Sequence, residues 1–341
     1  MKIALDVMGG DYGPRELIEG ALSAVDEVEA DIALVGRADE IAEYIKRERG
    51  SIPSGMEIVG STEVVEMGEP MARALRKSDS SIRVAVGMVK EGEAEAVVSM
   101  GHSGVFMALC MITLGKIEGV NRPALGALIP TLRGESLLVD VGANVDVGPE
   151  QLFQFGVMGT AFFEIYTGHS RVKTALLSNG EEEIKGNEAT RKASAMFRSH
   201  LPGYVGYVEG KDLLLGNVDV VVCDGFVGNI LLKMGEGFVE LLPRYMELHM
   251  NRIAEQMGVR GGTAEVGRLV EVLERLLTER FDYREYGGAL LLGVRGVCVL
   301  GHGRSRARAV KNAIVMADRF ARSDLVEEIE RKVAEYVGAS G

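Results

Sequence analysis

Short, uniformly apolar runs alternate along this chain with segments of helical periodicity. Lys2–Val7, Ile32–Val35, Glu57–Val59, Ala96–Ser99, Ala124–Ile129, Ser136–Val141, Val172–Leu177, Tyr204–Val208, Val218–Cys223 and Val297–Leu300 read as strands. Pro14–Val25, Ala38–Arg47, Ser81–Lys90, Ser103–Leu114, Pro149–Tyr166, Glu188–Ser199, Ser305–Ala321 and Leu325–Tyr336 read as helices, the first with proline in its opening turn. Ala124–Ile129 and Ser136–Val141 flank Arg133-Gly134, which suits a hairpin. Strands that alternate with helices predict an α/β fold of three layers, αβα, with a mostly parallel sheet covered on both faces.

Two stretches depart from that rhythm. Ala96–Gly115 carries no formal charge over the length of a membrane span, but Gly101-His102-Ser103-Gly104 interrupts it, so a buried strand, a loop and a buried helix are expected. From Asn229 to Arg280 the pattern is helical throughout. Leu242, Met246, Met250, Ile253 and Met257 form one apolar stripe, and Val266, Leu269, Val270, Leu273, Leu276 and Leu277 a second. Gly258 and Gly261-Gly262 mark the turn of this protruding helical hairpin, and Pro243 should kink or break its first arm. The hairpin suits either a dimer interface or contact with a membrane surface.

Composition narrows the class. With 341 residues, 47% hydrophobic and 26% charged, the chain can bury a large core. Forty-four glycines against eight prolines point to many tight backbone positions. A net charge of -12 argues against a protein that grips nucleic acid through phosphates. Cys110, Cys223 and Cys298 form no CxxC pair and sit among apolar neighbours, so buried, reduced thiols in a cytoplasmic protein are expected. The amino-terminal apolar run is too short for a signal peptide.

The chemistry should lie where strands end. Six strands run into polar glycine loops: Met8–Asp11, Gly101–Gly104, Gly142–Asn144, Asn179–Asn187, Asp224–Asn229 and Gly301–Ser305. In a parallel sheet these loops share one edge, where backbone N–H groups and helix amino termini can hold an anion. The Walker and G-x-G-x-x-G motifs are missing, so a nucleotide has no direct support, and the five histidines show no metal spacing. Asp6, Asp140 and Asp224 close apolar strands and suit either hydrogen bonding to loop amides or proton acceptance. Lys185 suits a solvated helix start or a phosphate contact, and Ser103 a helix cap that also meets an anion. Arg304, Arg308 and Lys311 are spaced for one helix face, either solvated or a dock for an acidic partner.

Together D-V-M-G-G-D at Asp6–Asp11, S-x-G-x-x-G at Ser99–Gly104, Arg122-Pro123-Ala124, L-V-D-V-G-A-N at Leu138–Asn144, QLFQFGVMG at Gln151–Gly159, Asn179–Asn187, C-D-G-F-V-G-N-I-L-L-K at Cys223–Lys233, Y-G-G-A-L-L-L-G at Tyr286–Gly293 and His302-Gly303 resemble the bacterial phosphate acyltransferase family of phospholipid synthesis (PlsX type), over residues 1 to about 320. The resemblance implies one domain with a fold akin to phosphate acetyltransferases and isocitrate/isopropylmalate-type dehydrogenases, the 229–280 hairpin being its dimer or membrane tip. It implies transfer of a fatty acyl group from acyl-[acyl carrier protein] to inorganic phosphate without cofactor or metal. It implies a homodimer in peripheral membrane contact that passes acyl phosphate to a membrane glycerol-3-phosphate acyltransferase. Gly101-His102-Ser103-Gly104 departs from the family's usual Gly-Asn-Thr-Gly. Carried over, the catalytic candidates are Lys185, Asp224, Asn229 and His302. The phosphate-binding candidates are Gly9, Gly10, Asp11, Gly101, Ser103, Gly104, Asn144 and Asn187. Arg304, Arg308 and Lys311 are the carrier-protein candidates. The alternatives are a phosphotransacylase that uses acyl-CoA, a dehydrogenase of the same fold, and a non-catalytic scaffold for carrier protein.

Overall fold

The computed structural model of the chain describes residues 1–249 and 287–339, with scattered positions between 252 and 275. Most of the expected hairpin, including Met250, Ile253 and Met257 and the glycine turn, lies outside the described residues. The strands are β1 (Lys2–Asp6), β2 (Asp31–Gly36), β3 (Met56–Gly60), β4 (Ala96–Ser99), β5 (Ala124–Thr131), β6 (Gly134–Val139), β7 (Thr174–Leu177), β8 (Tyr204–Val208), β9 (Val220–Val222), β10 (Ala289–Leu292) and β11 (Val297–Leu300). The helices are α1 (Pro14–Ala24), α2 (Ala38–Arg49), α3 (Met71–Ala74), α4 (Ser81–Lys90), α5 (Ser103–Thr113), α6 (Pro149–Thr167), α7 (Glu188–His200), α8 (Gly225–Leu248), α9 (Ala307–Ala321) and α10 (Leu325–Ala339), with a 3₁₀ turn at Gly210–Leu215.

The described strands form one sheet in the order β3-β2-β1-β4-β11-β10-β5-β6-β9-β7-β8. It is mostly parallel, as the alternating pattern requires. Two blocks, β3-β2-β1-β4-β11 and β6-β9-β7-β8, are parallel within themselves. Between them β10 runs antiparallel to both β11 and β5, and the tight β5–β6 hairpin adds a third reversal. Three reversals leave the second block pointing against the first. The expectation of a single shared edge for all six loops is therefore corrected: the loops divide into two groups of three. The two reversals at β10, a four-residue apolar strand after two glycines that the sequence pattern left unassigned, cancel and leave β5 running with the first block, so it is the β5–β6 hairpin that turns the second block over.

Both faces of the sheet are covered, so the strands have no polar face. Ile3, Leu5, Ile32, Leu34 and Val98 pack with α1 and α9 side chains in one layer, while Ala4, Val35, Val97 and Cys298 pack with α4 and α5 in the other. Each fully buried large side chain contributes roughly 1.5–3 kcal/mol relative to exposure. α6 is apolar nearly all round because it is buried, and its Phe162 ring stacks 4.7 Å from Phe320 of α9. All three cysteines are free and buried. α8 does not break at Pro243 but runs on to Leu248. No described helix is long and apolar enough to cross a membrane.

Candidate active site

The first group of loops follows β1, β4 and β11. A buried carboxylate, Asp6, organises it. Its Oδ1 accepts the Met8 N–H (3.2 Å), and its Oδ2 accepts the Ser99 hydroxyl (2.8 Å), whose own oxygen accepts the Gly101 N–H (3.0 Å). Burial pushes the Asp6 carboxyl above the usual range, and hydrogen bonds from Ser81, Ser99, Met8 and Gly9 oppose that rise. Gly9 lies so close to the second loop that a Cβ there would fall 2.7 Å from the Gly101 nitrogen. Asp11 N–H donates to the Gly303 carbonyl (2.7 Å), which ties the first loop to the third. The structure therefore brings Gly9, Gly10, Asp11, Gly101, Gly104, His302 and Gly303 together.

Two expectations in this group need correction. The cap of α5 is His102, not Ser103: the His102 Nδ1 accepts the Val105 N–H (3.4 Å), and Ser103 is the exposed first residue of the helix. The imidazole thus fills the role an asparagine side chain would have, since each offers an acceptor close to its own backbone. Arg304 does not share a helix face with Arg308 and Lys311, because α9 begins only at Ala307 and Arg304 lies in the loop before it. Lys311 pairs with Glu27 at 2.7 Å.

The second group follows β6, β7 and β9, and Asp140 plays the part that Asp6 plays in the first. It is wholly buried. Its Oδ1 accepts the N–H groups of Leu125, Gly142 and Ala143 at 3.0–3.1 Å, and its Oδ2 those of Asn144 (2.7 Å) and the Asn144 side-chain amide (2.8 Å). Burial raises its pKa, and these donors work against that rise. The Asn144 amide also donates to the Pro123 carbonyl (2.7 Å), so both its hydrogens hold the loop in place. Of the two roles open to Asp6 and Asp140, the structure shows loop anchoring. Sequence reasoning placed neither among the site residues, although each ends an apolar strand just before a glycine loop.

Asp224 follows β9 and caps α8, its Oδ1 accepting the Val227 N–H (2.9 Å). Asn187 caps α7 through the Thr190 N–H (2.9 Å). Lys185, half-buried in the loop between β7 and α7, packs against Gly180. Here a cavity of about 590 Å³ opens. Ser178, Asn179, Asn187, Thr190 and Asp224 supply its polar wall, while Val147, Leu152, Leu177, Val227 and Leu231 supply its apolar wall. Cys223 also lines it, with a thiol that burial holds well above its usual pKa and that points to the Asp140 carbonyl (3.5 Å).

α8 links the two groups. Asn229, in its second turn, lies beside Gly142. One turn further, about 6 Å along the axis, Lys233 and Glu236 form an ion pair (2.8 Å) whose charges reach His302. His302 accepts the Arg304 N–H at Nδ1 (3.1 Å). Burial first, and then the Lys233 charge, hold its pKa below the usual histidine value, while Glu236 and Asp11 oppose them. Chemically, the assembly offers loop amides and uncharged donors around a cavity that is mostly apolar.

Comparison with known proteins fits this architecture. A family model described as a fatty acid synthesis protein matches residues 1–328. A protein of Heliobacterium modesticaldum named phosphate acyltransferase is 43% identical over 336 residues, covering 98% of both chains. Among solved structures, a phosphotransacetylase from Streptococcus pyogenes superposes with a TM-score of 0.62 at 16% identity, covering 94% of each chain. A 4-hydroxythreonine-4-phosphate dehydrogenase from Klebsiella pneumoniae gives 0.52 at 14% identity, covering 94% of this chain and 99% of its own. At such identities these two structures share the fold.

Proposed function

The chain belongs to the fatty acid synthesis protein family, and from that premise we propose that it transfers a fatty acyl group from a thioester donor to inorganic phosphate. The donor in this reading is acyl-[acyl carrier protein], and the products are acyl phosphate and the free carrier thiol. The observation that carries it is the cavity beside the amino terminus of α8, where aliphatic side chains meet uncharged loop donors. An acyl chain needs the first, and a thioester carbonyl under attack needs the second.

A phosphate oxygen attacks the thioester carbon, an oxyanion forms, and the C–S bond breaks as the acyl–phosphate bond is completed. Phosphate is largely dianionic near neutral pH and needs no base. A thiol of pKa ~8.5 leaves with little acid assistance. What remains for the protein is positioning and charge stabilisation. In this reading the Gly9–Asp11 and Gly101–Gly104 loops, with Ser103, hold phosphate. Lys185, Asn187 and Asn229 face the developing charge, Asp224 fixes the start of α8, and His302 orients the phosphate side as an uncharged imidazole. Asn144 acts through the loop it anchors. Exposed Arg304 and Arg308, with Lys311 beside them, suit an acidic carrier protein. The exposed apolar residues Phe226, Ile230, Met234 and Phe238 on α8 support a homodimer and peripheral membrane contact, which would place the acyl phosphate near a membrane glycerol-3-phosphate acyltransferase.

The test is to mix purified protein with acyl-carrier protein and phosphate and to follow free thiol, with acyl-CoA in parallel and phosphate omitted as control. Phosphate-dependent thiol release from the carrier protein is expected. Release from acyl-CoA alone would replace the donor, and no release from either would overturn the reading.

A further inference from the structure

The cavity's wall divides by origin. Its polar members Ser178, Asn179, Asn187 and Asp224 belong to the loops that follow β7 and β9 or to their helix caps, and Thr190 to the first turn of α7 next to them. Its apolar members come from packed elements. Leu152 of α6, 2% exposed, and Val147, 8% exposed, belong to one core layer, whereas Leu177 and Leu231 pack against the other. The cavity therefore enters at the seam between the two layers, and its apolar end is fixed by the cores themselves. Val227 and Leu231 are four residues apart on α8 and face the cavity together, while Phe226 and Ile230 on the same turns are exposed.

We infer that this apolar end receives the distal methylenes of the acyl chain, and that Leu152, Val227 and Leu231 set the length of chain the protein accepts. The inference rests on the acyl-transfer reading and names the part of the substrate that this cavity takes. Two observations favour an acyl chain over a small polar ligand. The donors lie on the loop side, where the Thr190 hydroxyl bonds the Asn187 cap, and the wall beyond them is aliphatic but for the Cys223 thiol, without a described charged side chain apart from Asp224, whose carboxylate is engaged at the helix start. Interiors of this kind yield little, so a change of one or two methylenes in wall volume is felt by the ligand.

The experiment measures kcat/KM for thioesters from octanoyl to stearoyl with the unmodified protein, Leu231→Phe, Leu231→Ala and Ala189→Leu, the last from the first turn of α7 on the same cavity. Leu231→Phe and Ala189→Leu should move the preferred chain shorter, with the long-to-short ratio falling by about fourfold for each methylene excluded. Leu231→Ala should move it longer. A purely structural defect would scale every chain length alike. An unchanged length profile in all variants overturns the inference while leaving acyl transfer intact. Failure of the unmodified protein on every thioester instead overturns the reading beneath it.

Discussion

Gly228→Ala tests whether the start of α8 is seated as described. A Cβ on Gly228 would stand 1.9 Å from the Asp140 carbonyl oxygen and 2.9 Å from its carbon. That obstacle is backbone and cannot rotate away. Ordinary contact begins near 3.4 Å, so the first turn of α8 must withdraw by about 1.5 Å (3.4 minus 1.9). Overpacking costs ~1–3 kcal/mol, and a clash with immovable backbone takes the upper end, ~3 kcal/mol. Alanine's better helix propensity returns up to ~1 kcal/mol, leaving a net loss of about 2 kcal/mol. With an unfolding entropy of ~2.1 cal/mol/K per residue, a chain of 341 residues loses about 3 °C in Tm. The activity should suffer more, because the withdrawal displaces Asp224 and Asn229 together, and a 1 Å misplacement can cost ~100-fold. Gly87→Ala is the control. It lies within α4 with no atom within 4 Å of its added methyl, so the same substitution should raise Tm by about 1 °C. Calorimetry and thiol-release rates on the two variants decide the matter. If Gly228→Ala melts no lower than the parent and keeps its rate, α8 is not packed on the loop after β6.

Lys185→Ala should lower the rate of acyl-phosphate formation about a hundredfold with little change in Tm, and an unaltered rate would remove Lys185 from the reaction. Lys233→Met should raise the His302 pKa, read from the imidazole shifts in an NMR titration, because the Lys233 charge is the second cause of its depression and its loss also leaves Glu236 unopposed. The depressed histidine means that the unfolded chain takes up this proton first as pH falls. Stability should therefore decline below about pH 6.5, the unfolded value, and His302→Asn should flatten that decline in melts run against pH. Cys223→Ser should keep most of the activity, and iodoacetamide should label Cys223 slowly in the folded protein, since its thiol is held protonated. Fast labelling or a dead serine variant would point instead to a thiol nucleophile.

Much of the fold was legible in local pattern. Ala96–Ser99, Tyr204–Val208 and Val297–Leu300 are strands with the bounds that the apolar runs suggested, and Ser81–Lys90 is a helix with its expected ends. A strand buried on both faces needs an unbroken apolar run, and an amphipathic helix needs a 3.6-residue period, so both leave marks in the order of residues. The candidate site was legible as a set of loops but not as an arrangement. Local order also misled at Ser103 and Arg304, where a cap and a helix start depend on one backbone geometry among several the residues allow.

Apart from β10, the residues alone determined which segments would be the sheet's strands, which would be its long helices and which would end in glycine loops, because steric preference and burial act within a few neighbours. Only the tertiary structure decided that β10 would enter between β11 and β5, and that the β5–β6 hairpin would then turn the second block against the first and part the loops into two groups that α8 links. Strand direction and pairing are settled by contacts between residues far apart in sequence. Two loops held by Asp6 and Asp140 in nearly the same way can therefore lie on different edges, with nothing in their local sequence to say so.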